Sequence, residues 1–321
     1  MKKIIVLLLV VCCCLSLLAG CANTSNAETT ETTQTIPAVT GPEALDGKKI
    51  IFIGNSYTFY GKVVTGSGYD VLTQAERSND QAYFYQLCKK NDIDVSVTNW
   101  TFGSHSISDS MYGACEADTP CNGEYHNYFL KDTCFDYVAF QFSTRDKDTG
   151  DYLAYLQPAI DVFRKANPNV KFLILVPYMA YQNNWKSLES LEKLKEQGFI
   201  ICNWGKMLYD IVNNTVSVPG AEQTYERSTF IISQSEKDGH HQNLLAGYLT
   251  TLMVYCAITG ESAVGQDYSF CGDMNIDKSF NFESFKLKYY SYIPDTNFIE
   301  VFESEADMKG LQQLVDQYLG K

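Results

Sequence analysis

The sequence predicts an α/β fold built on a mostly parallel sheet with helices on both faces. Short apolar, β-branched runs recur along the chain, and most are separated by stretches of helical spacing or helix-forming composition. Strands that alternate with helices are βαβ units, and such units build parallel sheets. The run FLILV, Phe172 to Val176, is apolar at every position, as befits a strand covered on both sides.

Taken in order, strands are expected at Lys49–Gly54 (KIIFIG), Asp94–Gly103 (DVSVTNWTFG), Asp136–Phe142 (DYVAFQF), Val170–Tyr178 (VKFLILVPY) and Phe199–Trp204 (FIICNW). Helices are expected at Ala75–Lys90, Asp151–Lys165, Trp185–Glu196 and Lys206–Val212. A further helix runs from Leu244 to Ile258 (LLAGYLTTLMVYCAI), stopped by Thr259 and Gly260. Gly265 to Phe302 is aromatic-rich and matches no single pattern, and an amphipathic helix from Glu303 closes the chain. No internal repeat is visible.

The N-terminal twenty residues carry two lysines, an apolar run and then small residues, the layout of a secretory signal. LAGC at Leu18 to Cys21 resembles the bacterial lipoprotein signal, which implies lipid on Cys21, a membrane anchor and an extracytoplasmic location. Residues 21–46 are rich in Thr, Glu, Asn and Ala and poor in large apolar side chains, so they read as a tether that buries too little to offset its own ordering entropy. One domain is expected over 47–321.

The formal charge is −13 with no basic stripe, which argues against nucleic acid or an anionic surface as partner. Of the 11 cysteines, Cys88, Cys115, Cys121, Cys134, Cys202, Cys256 and Cys271 belong to the expected domain. None forms a CxxC pair and no histidine stands at zinc-finger spacing, so no structural metal is expected. Export permits disulfides, and Cys115, Cys121 and Cys134 lie close enough in sequence for a local bridge.

The first strand ends in Gly54-Asn55-Ser56. In an open α/β sheet, ligands sit outside the carboxyl ends of the strands, so Ser56 either caps the next helix or is presented as a nucleophile. A serine nucleophile needs a base, normally a histidine oriented by a carboxylate, and donors for the oxyanion. The chain has four histidines, His105, His126, His240 and His241. Asp238 and His241 form a D-x-x-H pair just before the apolar helix, spaced so that the carboxylate can reach the far imidazole nitrogen; the alternative is that Asp238 caps the helix.

Together the Gly-x-Ser turn and the D-x-x-H pair resemble the first and last blocks of the SGNH, or GDSL, hydrolase superfamily, over Lys48 to about Gly260. The resemblance implies a flavodoxin-like three-layer α/β/α fold and ester hydrolysis, often of acyl esters of carbohydrates and lipids. It implies Ser56 as nucleophile, His241 as general base, Asp238 as its orienter, and no metal or cofactor. The oxyanion donors implied are Ser56, Gly103 in WTFGSHS (with the Ser104 amide as a substitute), and Gln141, which stands where the family has Asn. Asn55 replaces the family's usual Asp, His240 adjoins the D-x-x-H histidine, His105 stands beside the oxyanion glycine, and His126 reads as a loop residue. The expected substrate is an acylated extracellular carbohydrate or other small ester. The competing class is a surface-tethered glycan- or solute-binding lipoprotein, with the 13% aromatic content lining its cleft. No G-x-S-x-G, G-x-G-x-x-G or Walker lysine is present.

Overall fold

The computed structural model describes residues 40–64, 82–112, 134–232, 241–272 and 301–321. They belong to the unit Val39–Lys321. The expected signal, Cys21 and most of the tether lie outside the described residues, as do Cys115, Cys121, His126, Asp238 and His240.

Five strands form one sheet: β1 (Lys49–Gly54), β2 (Ser96–Thr101), β3 (Tyr137–Gln141), β4 (Lys171–Leu175) and β5 (Ile200–Cys202). Their order is β2-β1-β3-β4-β5 and every pairing is parallel. This 2-1-3-4-5 order is the flavodoxin-like doubly wound arrangement, whose strand order reverses between β1 and β3.

The helices that pack on this sheet or border its carboxyl ends include α1 (Ser56–Phe59), α2 (Tyr83–Lys90), α3 (Ile107–Tyr112), α4 (Tyr152–Ala166), α5 (Trp204–Val212), α6 (Leu244–Thr259) and α7 (Glu305–Tyr318). Successive strand residues point to opposite faces, and the sheet therefore feeds two cores. Ile50, Phe52, Ala139, Leu173 and Leu175 pack with α2, α5, α6 and α7. Ile51, Ile53, Val138, Phe140 and Ile174 pack on the other face with α4. The result is three layers, helix on sheet on helix.

Strand ends move inward from their expected bounds. β2 stops at Thr101 because its pairing with β1 ends at Gly54, and Pro177, which has no N–H, closes the run after β4. The helix expected over Trp185–Glu196 is a 3-10 turn, Lys186–Ser190, followed by a helix at Leu191–Glu196. At the junction, the Ser190 hydroxyl accepts from Tyr152 N–H at 3.0 Å and donates to Gly150 O at 2.8 Å, tying the turn to the start of α4. The helix expected from Ala75 is described only as α2, its first part lying outside the described residues. Most of Gly265–Phe302 does likewise. Among the described residues, Cys88, Cys134, Cys202, Cys256 and Cys271 carry free thiols.

Candidate active site

β1 must end in glycine. A Cβ at Gly54 would meet Gln141 Cβ at 2.5 Å and Thr58 Oγ1 at 2.7 Å. Asn55, 2% exposed, then caps α1, its side chain accepting from Tyr57 N–H at 3.0 Å. The cap is thus Asn55, which leaves the capping explanation of Ser56 without a task. From Ile50 to Val64 every residue is buried except Ser56.

His241 is brought to the same turn from far along the chain. Gln242 Nε2 donates to Tyr60 O at 2.8 Å across 182 positions of sequence, and Ile232 N–H donates to His241 O at 2.8 Å. Gly61, at φ 78°, lies against Gly247 of α6 with no room for a side chain between them. The His241 ring consequently stacks on Tyr60, centroids 4.1 Å apart and planes at 15°, and lies 5.8 Å from the Tyr57 ring. Tyr57 in turn faces Trp185 at 6.3 Å. The cap of α6 is Asn243, whose side chain accepts from Ala246 N–H at 3.1 Å. That helix therefore has its N-cap without Asp238.

Gly103 lies on an exposed turn after β2, where an added Cβ would meet no atom within 4 Å. The turn is tied to the end of β1 and to the cap of α1: Phe102 N–H donates to Gly54 O at 2.9 Å, and Asn55 Nδ2 donates to His105 O at 3.3 Å. His105 is 7% exposed and its Nδ1 lies 2.8 Å from Gly103 O; a carbonyl only accepts, so this nitrogen carries the proton. Asn55 is the site residue that sequence reasoning undervalued. An Asn ahead of a helix signals a cap, but nothing local shows that its amide also reaches His105.

Gln141 departs from its expected role. Its Nε2 donates to Leu175 O at 2.9 Å and Phe142 O at 3.3 Å, so both amide hydrogens are committed to the ends of β3 and β4. Its stem packs under Gly54. The longer side chain folds back onto the sheet instead of offering its hydrogens to an oxyanion, and it supports the turn that carries Ser56.

Beside the Gly103 turn lies Asp146, 3% exposed. Burial pushes its carboxyl from 3.8 up to about 6, against the hydrogen bonds it accepts from Tyr155, Ile107 N–H and Tyr152. The folded value lies above the unfolded one, so the contribution to stability is full below about pH 4 and is lost as pH rises to about 6. The size is about 1.4 kcal/mol per pH unit, or roughly 3 kcal/mol in all. Asp146→Asn should remove this dependence, so its stability relative to the wild type should rise between pH 4.5 and pH 7. Urea midpoints at both pH values check it, and a constant difference would contradict the burial cost.

Among the described residues, no group of three or more His, Cys, Asp or Glu side chains is placed to hold a metal. A cavity of about 420 Å³ opens beside β5, lined by Phe199, Ile200, Cys256 and Lys321 among others. Ser56, Gly103, Gln141 and His241 take no part in it.

The fold and this site define a doubly wound α/β protein with a serine presented at the strand-order switch point. No family model matches the chain, and no curated protein matches its sequence. Among solved structures, a DUF4886 family protein from Bacteroides uniformis superposes with TM-score 0.50 at 13% identity, covering 85% of this chain and 94% of that one. An α/β hydrolase enzyme from the metagenome of Lake Arreo, Spain, gives 0.43 at 15% identity, covering 67% and 96%. An acetyl xylan esterase from Geobacillus stearothermophilus gives 0.41 at 13% identity, covering 67% and 96%. At 13% identity, the likeness to the DUF4886 family protein is one of fold.

Proposed function

We propose that the protein is a serine esterase that removes acetyl or short acyl groups from extracellular carbohydrate. The observation that carries this reading is that Ser56 alone emerges from an otherwise buried strand and turn, with His241 seated on that turn by the Tyr60 stack. In this mechanism His241 takes the proton of Ser56 Oγ as the hydroxyl attacks the ester carbonyl and returns it to the leaving alcohol; it then takes a proton from water, which attacks the acyl-serine, and returns it to Ser56 Oγ as the carboxylic acid leaves, with Asp238 orienting the imidazole. The N–H groups of Ser56 and Gly103 face the developing oxyanion. Tyr57, Tyr60 and Trp185 are buried, so they wall the site and are not presented as a sugar-stacking platform. Lipid on Cys21 would hold the domain at the membrane surface.

The test is hydrolysis of p-nitrophenyl acetate and its longer acyl homologues by the full chain in detergent, with and without a chelator. Acetyl is expected to outpace butyryl strongly, and the chelator to change nothing. Activity should fall as pH drops through the imidazole range, about 6.5 for an unperturbed ring, because only neutral imidazole accepts the serine proton. Equal rates on long chains would remove the short-acyl assignment, and a flat acid limb would remove His241 as base.

A further inference from the structure

The loop after β3 holds the segment after Gly103 through a set of hydrogen bonds that the triad mechanism does not use. Asp146 Oδ1 accepts from the Tyr155 hydroxyl at 2.7 Å and Oδ2 from the Tyr152 hydroxyl at 3.3 Å. The same carboxylate accepts from Ile107 N–H. The Tyr155 oxygen in turn accepts Ser108 N–H at 2.9 Å. Next to Asp146, Arg145 pairs with Asp109 at 3.3 Å. Asp109 closes a reciprocal pair with Ser106, each side chain accepting the other's backbone N–H at 2.9 Å.

Two adjacent residues of one loop thus grip the first turn of α3, which begins four residues after Gly103. Between them stands Ser104 in the left-handed region at φ 59°, a conformation that persists in a non-glycine residue only when both flanks are held. The flank before it is held by Gly54 through Phe102 N–H. The flank after it is held by Asn55 at His105 O, and by Asp146 and Tyr155 at Ile107 and Ser108.

We propose that Asp146 and Tyr155 are positioning residues for the reaction: they fix the turn whose Gly103 N–H faces the oxyanion. This rests on the serine-esterase reading. The carboxylate matters because it only accepts. It draws the Tyr155 proton toward itself and leaves the phenol oxygen for Ser108 N–H. Facing it are Tyr152 and Tyr155 from α4, Ile107 N–H and Asp109 from α3, and Arg145 of its own loop, which is paired with Asp109. Three of these neighbours already donate to it, and a proton on Asp146 weakens those bonds, because a neutral carboxyl is a poorer acceptor than a carboxylate. Burial, which lifts this carboxyl to about 6, puts that event within the working pH range.

The experiment measures kcat and KM for p-nitrophenyl acetate from pH 5 to 9 in the full chain, for wild type, Tyr155→Phe, Asp146→Asn and Ser56→Ala, each checked by circular dichroism. Tyr155→Phe should lower kcat about tenfold with KM within about twofold, because a displaced donor is lost mainly in the transition state. Asp146→Asn should lower kcat at pH 8 and make the acid limb shallower, from a slope approaching two in the wild type to one. Wild-type kcat and acid slope in both variants, with Ser56→Ala inactive, would overturn this inference and leave the esterase reading standing. An inactive wild type would overturn both. If Tyr155→Phe fails to fold, Asp146→Asn, which keeps an acceptor for Tyr155, decides by its slope.

Discussion

Replacing Ser56 by alanine is expected to reduce kcat for ester hydrolysis by about 10⁴-fold or more, with KM little changed. Ser56 is the first residue of α1, its cap is supplied by Asn55, and alanine is a good helix former, so the variant should fold like the wild type. What it loses is the one side chain of the Ile50–Val64 segment that is not buried. His241→Ala should cost a comparable factor, and the double variant little more than either, because members of a nucleophile–base unit act together. The check is steady-state kinetics with matched circular dichroism spectra. A folded Ser56→Ala protein that keeps a tenth of the wild-type kcat would end the esterase reading and return attention to glycan binding.

A large effect on stability is also expected at Gly247. On an exposed helix, Gly→Ala gains about 1 kcal/mol in propensity. Here a Cβ at 247 would sit well inside 3.0 Å of the Gly61 carbonyl oxygen, carbonyl carbon and Cα. These are backbone atoms that cannot swing aside, and Gly61 is itself fixed by its φ of 78°. Overpacking of this kind costs about 1–3 kcal/mol and sometimes more, so the clash outweighs the propensity. Gly247→Ala should be destabilised by roughly 2–3 kcal/mol. It should also lose activity out of proportion to its unfolded fraction, because the same contact seats His241 on the Ser56 turn. Urea unfolding together with kcat measured well below the urea midpoint tests both parts. A variant as stable as the wild type would show that the two backbones separate without cost.

Much of the architecture was legible because it rests on local pattern. β1 falls at its expected bounds, since its β-branched run is cut by glycine, and α6 was visible as an apolar stretch ended by Gly260. Ser56 and His241 stood out because few residues combine chemical reactivity with a strand end or a rare side chain. What could not be read depends on distant partners. Gln141 occupies the expected strand end, but the Leu175 carbonyl that takes its hydrogen comes from another strand. Asp146 sits in STRDKD, which reads as a solvated loop, and is buried only because Tyr152 and Tyr155 of α4 lie against it. The interrupted Lys186–Glu196 helix depends on a Ser190 hydroxyl reaching back to Gly150 and Tyr152.

Every residue of α6 except Ala257 is buried, and this bears on the order of assembly. A helix with no solvent face gains little by forming alone, because its stability comes from burial against neighbours. Its neighbours include the Tyr60–Lys62 turn near the start of the domain and α7 at its end. Formation and docking of α6 are thus coupled, and His241 takes its place on the Tyr60 ring only when that step is complete. On the proposed mechanism, a partly folded chain then possesses the nucleophile without its base. Turnover becomes a direct readout of finished folding, and a population that binds substrate without hydrolysing it would consist of molecules whose central helix has not yet been seated.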